Sequence, residues 1–261
     1  MSLQVHKLSD TLYQFNESAD FAGNGQLRPY VDAYLLIGTK HAALIDCLQN
    51  VTGLYDEIRK LTSLPIDVLI THGHGDHAGA STKEFAEAGC PIYMVSEDFA
   101  ILSGRLDVKQ EWFTDLKDGD SFDLGGYRLE TIACGGHSPG SVVFLEREHQ
   151  MLFSGDTIGS GHFWMQLPTC IPLSQFCTNL VRLCGKLEGL NELLVYPGHR
   201  NQSPVQLTEQ YAKDTLFITK GILDGSIVGE DREMEHRTGH MEYKEAAHGQ
   251  MLSYCYDPKN L

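Results

Sequence analysis

The run Thr71-His72-Gly73-His74-Gly75-Asp76-His77 constrains this chain more than any other stretch. Four side chains able to bind a metal fall within six consecutive positions, 72 to 77. On an extended segment His72 and His74 project to the same side. Gly73 and Gly75 carry no side chain to block an ion and let the backbone turn tightly. Upstream, Ile66-Asp67-Val68-Leu69-Ile70 is a short apolar, β-branched run that reads as a buried strand, and Ala78 onward reads as the start of a helix. The cluster therefore lies where a buried strand ends, a common address for chemistry in α/β proteins. Burying three imidazoles and a carboxylate together is costly unless they are paired or bound to an ion, so a metal site is expected over mere packing.

The surrounding chain reads as strands that first form hairpins and then alternate with helices. Leu3 to Leu8 and Thr11 to Phe15 alternate apolar and polar residues about a Ser9-Asp10 turn. A loop over 17–29 leads to strands at 30–37 and 41–46, and helical spacing covers 51–61. Helices are expected at 81–88 and 96–102, with a strand at 91–95. Gly125-Gly126 marks a hairpin between 121–124 and 127–134, and a further strand pair covers 141–146 and 151–154. A helix follows at 173–187, then a strand at 193–196, then a helix from Ser203-Pro204 to about Gly221. The layout fits one domain, 1–261, with sheets inside and helices outside. Residues 225–261 are the least patterned and read as a C-terminal cover over the site or a tail.

Composition narrows the partners. The chain has 261 residues and a formal charge of −15, from 20 basic and 35 acidic residues, a surface that repels phosphate backbones and argues against nucleic acid. No run approaches the ~20 apolar residues of a membrane span. The seven cysteines include no Cys-x-x-Cys pair, which fits a reducing compartment. With no signal-peptide pattern at the N-terminus, a cytoplasmic protein acting on a small molecule is expected, and a homodimer is left open.

Three further places repeat the order of apolar strand, small residue, ligand: Gly136-His137 after 129–134, Gly155-Asp156 after 151–153, and Gly198-His199 after 193–196. Each alone is an ordinary loop dipeptide. If the strand ends converge, they collect His72, His74, Asp76, His77, His137, Asp156 and His199.

In this order after this first motif, the seven residues resemble the His-x-His-x-Asp-His signature and downstream ligands of the metallo-β-lactamase-fold superfamily. Tyr34 to Ile37 and Leu44-Ile45-Asp46 are similar to its opening strands. The resemblance implies an α/β (α+β) protein, a four-layer αβ/βα sandwich of two mixed β-sheets flanked by helices. It implies one metal on His72, His74 and His137, a second on Asp76, His77 and His199, and Asp156 bridging both. Two divalent ions, Zn²⁺ first with Fe or Mn also acceptable to such ligands, would then lower the pKa of a shared water to give an attacking hydroxide. Asp76 would orient that hydroxide as the catalytic residue.

Within the superfamily, true β-lactamases resemble one another in having Cys or Ser where Asp156 stands, and the flavin-linked di-iron reductases have Glu where His74 stands. The ligand set is similar to that of glyoxalase II, yet the basic C-terminal glutathione motif of that enzyme has no match in Tyr254-Cys255-Tyr256-Asp257-Pro258-Lys259. The leading expectation is a dinuclear metal-dependent hydrolase of a small ester, thioester, lactone or phosphoester. The alternatives are a mononuclear iron enzyme resembling persulfide dioxygenases and a metal-stabilised binding module. Tyr30, His162 and Trp164 are candidate pocket residues, the last two on a Gly-flanked loop after Asp156. Tyr34 could lend a hydroxyl to an oxyanion, and Asp46 could hydrogen-bond a ligand loop. His236, His240 and His248 are expected at the surface.

Overall fold

The computed structural model describes residues 3–17, 31–102, 108–159, 161–203, 205–236, 239–249 and 251–261. Tyr30, Ser160, Pro204 and the loop expected to continue through Pro29 lie outside the described residues.

The first sheet has seven strands in chain order. β1 (Leu3–Lys7), β2 (Leu12–Glu17), β3 (Asp32–Ile37) and β4 (Ala42–Ile45) form an antiparallel meander. β5 (Ile66–Leu69), β6 (Ile92–Met94) and β7 (Phe113–Asp115) then add in parallel. Parallel neighbours need crossovers; these carry α1 (Leu54–Leu61), α2 (Thr82–Glu87) and α3 (Phe99–Leu102).

The second sheet has six strands. β8 (Ser121–Asp123), β9 (Arg128–Ala133), β10 (Val142–Glu146) and β11 (Met151–Gly155) are antiparallel neighbours. The chain leaves through β12 (His162–Met165) and α4 (Leu173–Leu187), returns as β13 (Leu194–Pro197) parallel to β11, and ends the sheet with β14 (Leu207–Thr208) before α5 (Glu209–Asp224). Because β9 and β11 are each antiparallel to β10, and β13 is parallel to β11, these three strands end on one rim.

Three apolar clusters set the layers. Successive strand residues point to opposite faces, so Leu35, Leu44 and Val68 pack on Leu54, Ile58 and Phe85 of α1 and α2. Their neighbours Leu36, Ile45 and Leu69 meet Leu129, Phe144 and Phe153 between the two sheets. On the far side Val143, Leu145 and Leu152 pack under α4 and α5. In α4 the buried residues are Leu173, Phe176, Leu180, Leu183 and Leu187, the three-four spacing of one helical stripe. The order is helix, sheet, sheet, helix, as expected.

Four details differ from the sequence reading. A third sheet of four strands is present, in the order β12, β17 (Met251–Tyr256), β16 (Gly239–His248), β15 (Glu230–His236). Residues 225–261 thus hold three strands; β15 is largely exposed, so it shows no apolar alternation to read. Residues 162–165 form strand β12 rather than a loop, with Phe163 and Met165 buried while His162 is exposed and Trp164 half-buried. The helix expected from Ser203 begins instead at Glu209, where the Thr208 hydroxyl accepts from the Gln210 N–H at its N-terminus. The helix expected directly after Ala78 starts at Thr82, since Ala78 is held in an isolated bridge to Cys47. Among the described residues no helix is long and apolar enough to cross a membrane.

Candidate metal centre

Four strand ends deliver the cluster. β5 runs into the 71–77 loop, and β9, β11 and β13 run into His137, Asp156 and His199 on the rim they share. All seven residues singled out in the sequence come together. Three groups of ligand atoms lie within 4.8 Å of one another: His72 with His74 and His137; His72 with His77 and Asp156; Asp76 with His77 and His199. Asp156 Oδ2 is 3.7 Å from His137 Nε2 and 3.2 Å from His199 Nε2, while its Oδ1 is 3.5 Å from His77 Nε2. It therefore stands between two sets. Asp76 Oδ2 is 3.5 Å from His199 Nε2 and 4.0 Å from His77 Nε2.

Close approach depends on glycine at one point in particular. A Cβ on Gly198 would lie 2.4 Å from the His77 ring and 2.5 Å from Asp156 Oδ1. Any side chain there would displace both groups.

The outward nitrogen of four rings has a partner, which turns the other nitrogen inward. His77 Nδ1 donates to Asp46 Oδ2 at 2.8 Å. His137 Nδ1 donates to the Trp164 carbonyl at 2.7 Å. His74 Nε2 faces the Thr169 hydroxyl at 3.0 Å. His72 Nδ1 faces the Thr71 hydroxyl at 3.1 Å, which itself donates to Asp46 Oδ2. Asp46 also accepts the Thr71 backbone N–H at 2.7 Å. It holds a positive φ of 63, a conformation that non-glycine residues avoid unless their surroundings enforce it. Such partners fix the tautomer and direction of metal-binding imidazoles.

The inward atoms crowd one another. His74 Nδ1 lies 3.1 Å from His72 Nε2 and 2.9 Å from His137 Nε2, so lone pairs converge unless a proton or cation sits among them. His77 Nε2 and Asp156 Oδ1 are buried without a hydrogen-bond partner. Orphaned buried polar atoms are rare and call for a missing group. An all-imidazole and carboxylate donor set suits Zn²⁺, Fe or Mn. The residues fit metal ions.

Burial opposes charge throughout. It drives His72 well below the usual imidazole range and His74 down to about 3. In His77 burial is outweighed by Asp156, Asp46 and Asp76, which hold its proton well above that range. His199 rises to about 9, burial again being overcome, chiefly by Asp156. Burial of Asp156 is likewise overcome by His199 and His77, which keep its carboxyl well below the usual range. Asp76 is lowered as well, His77 and His199 overriding its burial.

The cluster opens on a cavity of about 370 Å³. His162 and Trp164 line it with Leu167, Pro168 and His236. His236 was expected at the surface; β15 brings it to the cavity wall. His240 is exposed, 2.9 Å from Glu235, and His248 stacks on Phe217. Tyr34 is buried and donates its hydroxyl to the Pro197 carbonyl at 2.8 Å, so it braces the β13 end and is spoken for as an oxyanion donor. Thr169, which pairs with a ring 95 positions earlier, had no local sequence signal.

Fold and cluster together define a class: a helix-sheet-sheet-helix protein with an inward-facing His/Asp set at the ends of its strands. The chain belongs to the Metallo-beta-lactamase superfamily, whose sequence profile matches residues 28–199. The chain is a metallo-hydrolase of this fold. A "Hydroxyacylglutathione hydrolase GloC" of Haemophilus influenzae is 26% identical over 181 residues, 64% of this chain and 83% of that one. A "Hydroxyacylglutathione hydrolase" of Francisella tularensis subsp. tularensis is 30% identical over 177 residues, 67% of this chain; the match spans 64%, slightly under two thirds, of that relative's length. Among solved structures, a metallo-beta-lactamase from Pontibacter korlensis shares the fold at TM-score 0.65 and 18% identity, over 84% of this chain and 99% of that one. One from Hirschia baltica does so at TM-score 0.65 and 15% identity, over 84% and 98%.

Proposed function

We propose that this chain is a two-metal hydrolase that cleaves a small thioester, with related esters and lactones as weaker substrates. The observation carrying the proposal is Asp156: a half-buried carboxylate whose Oδ2 lies between His137 and His199, one ring from each imidazole set, and whose Oδ1 has no hydrogen-bond partner. One ion would be held by His72, His74 and His137, the other by Asp76, His77 and His199, with Asp156 shared. When bound, such a pair supplies Lewis-acid polarisation of the carbonyl and acidification of a water.

The chain's own groups do the rest. Asp76 lines the cavity beside His199, placed to take the proton of the attacking water and to aim its lone pair at the acyl carbon. Trp164, Leu167 and Pro168 also line the cavity, where they would seat the acyl or thiol portion and exclude bulk water. A thiolate leaves without needing a protein acid. The thioester class is supported by the Haemophilus and Francisella relatives, which are hydroxyacylglutathione hydrolases.

Metal analysis and a substrate panel test this reading. Zinc-loaded protein is expected to hold about two ions per chain and to hydrolyse acyl-thiol substrates, including glutathione thioesters, faster than esters, lactones or phosphodiesters. Asp156→Ala is expected to lose metal and turnover together. Full activity in metal-free protein would overturn the proposal. A single iron per chain with oxygen uptake on a persulfide would replace it with the oxygenase alternative.

A further inference from the structure

Two buried aspartates outside the ligand set stand behind the cluster, each tied to a different ligand-bearing segment. Asp98 ends the short turn before α3 and is fully buried. Its Oδ2 accepts the Gly73 N–H at 2.8 Å and the Ser138 hydroxyl at 2.6 Å, and its Oδ1 accepts the Gly140 N–H at 2.6 Å. One carboxylate thus joins the segment holding His72 and His74 to the segment holding His137. Both contacts are close-fitting: a Cβ on Gly73 would lie 2.9 Å from the Asp98 Cβ, and one on Gly140 would lie 2.8 Å from Asp98 Oδ1.

Asp32 does the equivalent work at the other set. Its Oδ2 accepts the Arg200 N–H at 2.6 Å, and its own N–H donates to the Gly198 carbonyl at 2.7 Å, so it grips the residues on both sides of His199. Gln14 and Asn16 donate to its Oδ1 at 2.6 and 3.3 Å, which fixes the carboxylate to β2. The bonds of Asp98 reach Gly73 and the 138–140 turn, and those of Asp32 reach Gly198 and Arg200.

We propose that Asp98 and Asp32 are positioning residues that brace the two cation sets separately: Asp98 the set of His72, His74 and His137, Asp32 the set completed by His199. The inference rests on the two-metal reading above. Its chemistry is simple. A carboxylate offers only acceptors, and every group around Asp98 is a donor; an asparagine there must aim its NH₂ at one of those N–H or O–H groups. One of the two segments is then released.

The test uses single-set backgrounds of the full chain. His199→Ala leaves the first set whole, and His137→Ala leaves the second. Zinc affinity is measured by competition with a chromophoric chelator. Adding Asp98→Asn is expected to weaken zinc by about tenfold to a hundredfold in the His199→Ala background and by less than about twofold in the His137→Ala background. Asp32→Asn should give the reverse pattern. Ser138→Ala, which removes one of the three donors to Asp98 without changing charge, should reproduce the Asp98 pattern at smaller size and covers the case in which Asp98→Asn does not fold. A purely structural role would lower both affinities together, and that result, or no loss at all, overturns the brace. Absence of zinc from the unsubstituted protein would instead overturn the two-metal reading, and the brace with it.

Discussion

His77 and His199 differ from His72 and His74 in one respect that can be measured. The first pair sits among carboxylates and keeps a proton at neutral pH, with His199 at about 9 and His77 well above the usual range. The second pair is neutral there, burial holding His74 at about 3 and His72 well below its usual range. An imidazole must shed its proton to bind a metal. Zinc entering the Asp76-His77-His199 set at pH 7 should therefore release about two protons per chain, one from each ring, whereas the His72-His74-His137 set should release none from His72 or His74. Calorimetry in buffers of different ionisation enthalpy reads this directly, and affinity at the first-named set should fall as pH is lowered. The seven cluster residues were legible because chain neighbours carry the pattern. Thr169, Asp98 and Asp32 were not, because each meets its partner across a long sequence separation and leaves no local spacing to read.

At the scale of elements, α4 shows how a helix can be read well and a strand missed. Its apolar stripe at Leu173, Phe176, Leu180, Leu183 and Leu187 falls on one face, and the expected span 173–187 is the observed one. Leu180 is fully buried against the second sheet. Leu180→Ala should cost about 2–5 kcal/mol in a denaturant melt, the usual range for a leucine truncated in a packed core. β12 was missed because four residues between glycine-bearing segments carry too little alternation to separate from a loop. Its pairing with β17 decides its shape: His162 and Trp164 are held in register with Ser253 and Cys255. β15 and β16 escaped notice for a different reason. No side chain of this hairpin is fully buried, so no core face imposes a hydrophobic period.

Across the whole molecule, burial also sorts the cysteines. All seven are free thiols. Burial pushes Cys47, Cys134 and Cys170 up to about 12, so at pH 8 they remain protonated and closed to electrophiles. Iodoacetamide on the native protein should leave these three unlabelled by mass spectrometry, with any early modification at the half-buried Cys90, Cys177 or Cys184. Rapid labelling of Cys47 in folded protein would contradict this packing. The third sheet has a wider consequence. The superfamily profile ends at residue 199, yet the wall bearing His162 and Trp164 is pinned by β17, and His236 arrives on β15. The cavity wall is thereby shaped in part by chain that lies beyond the seven cluster residues. On the two-metal reading, exchanging the tail beyond α5 is expected to alter which molecules are admitted while the seven cluster residues stay in place.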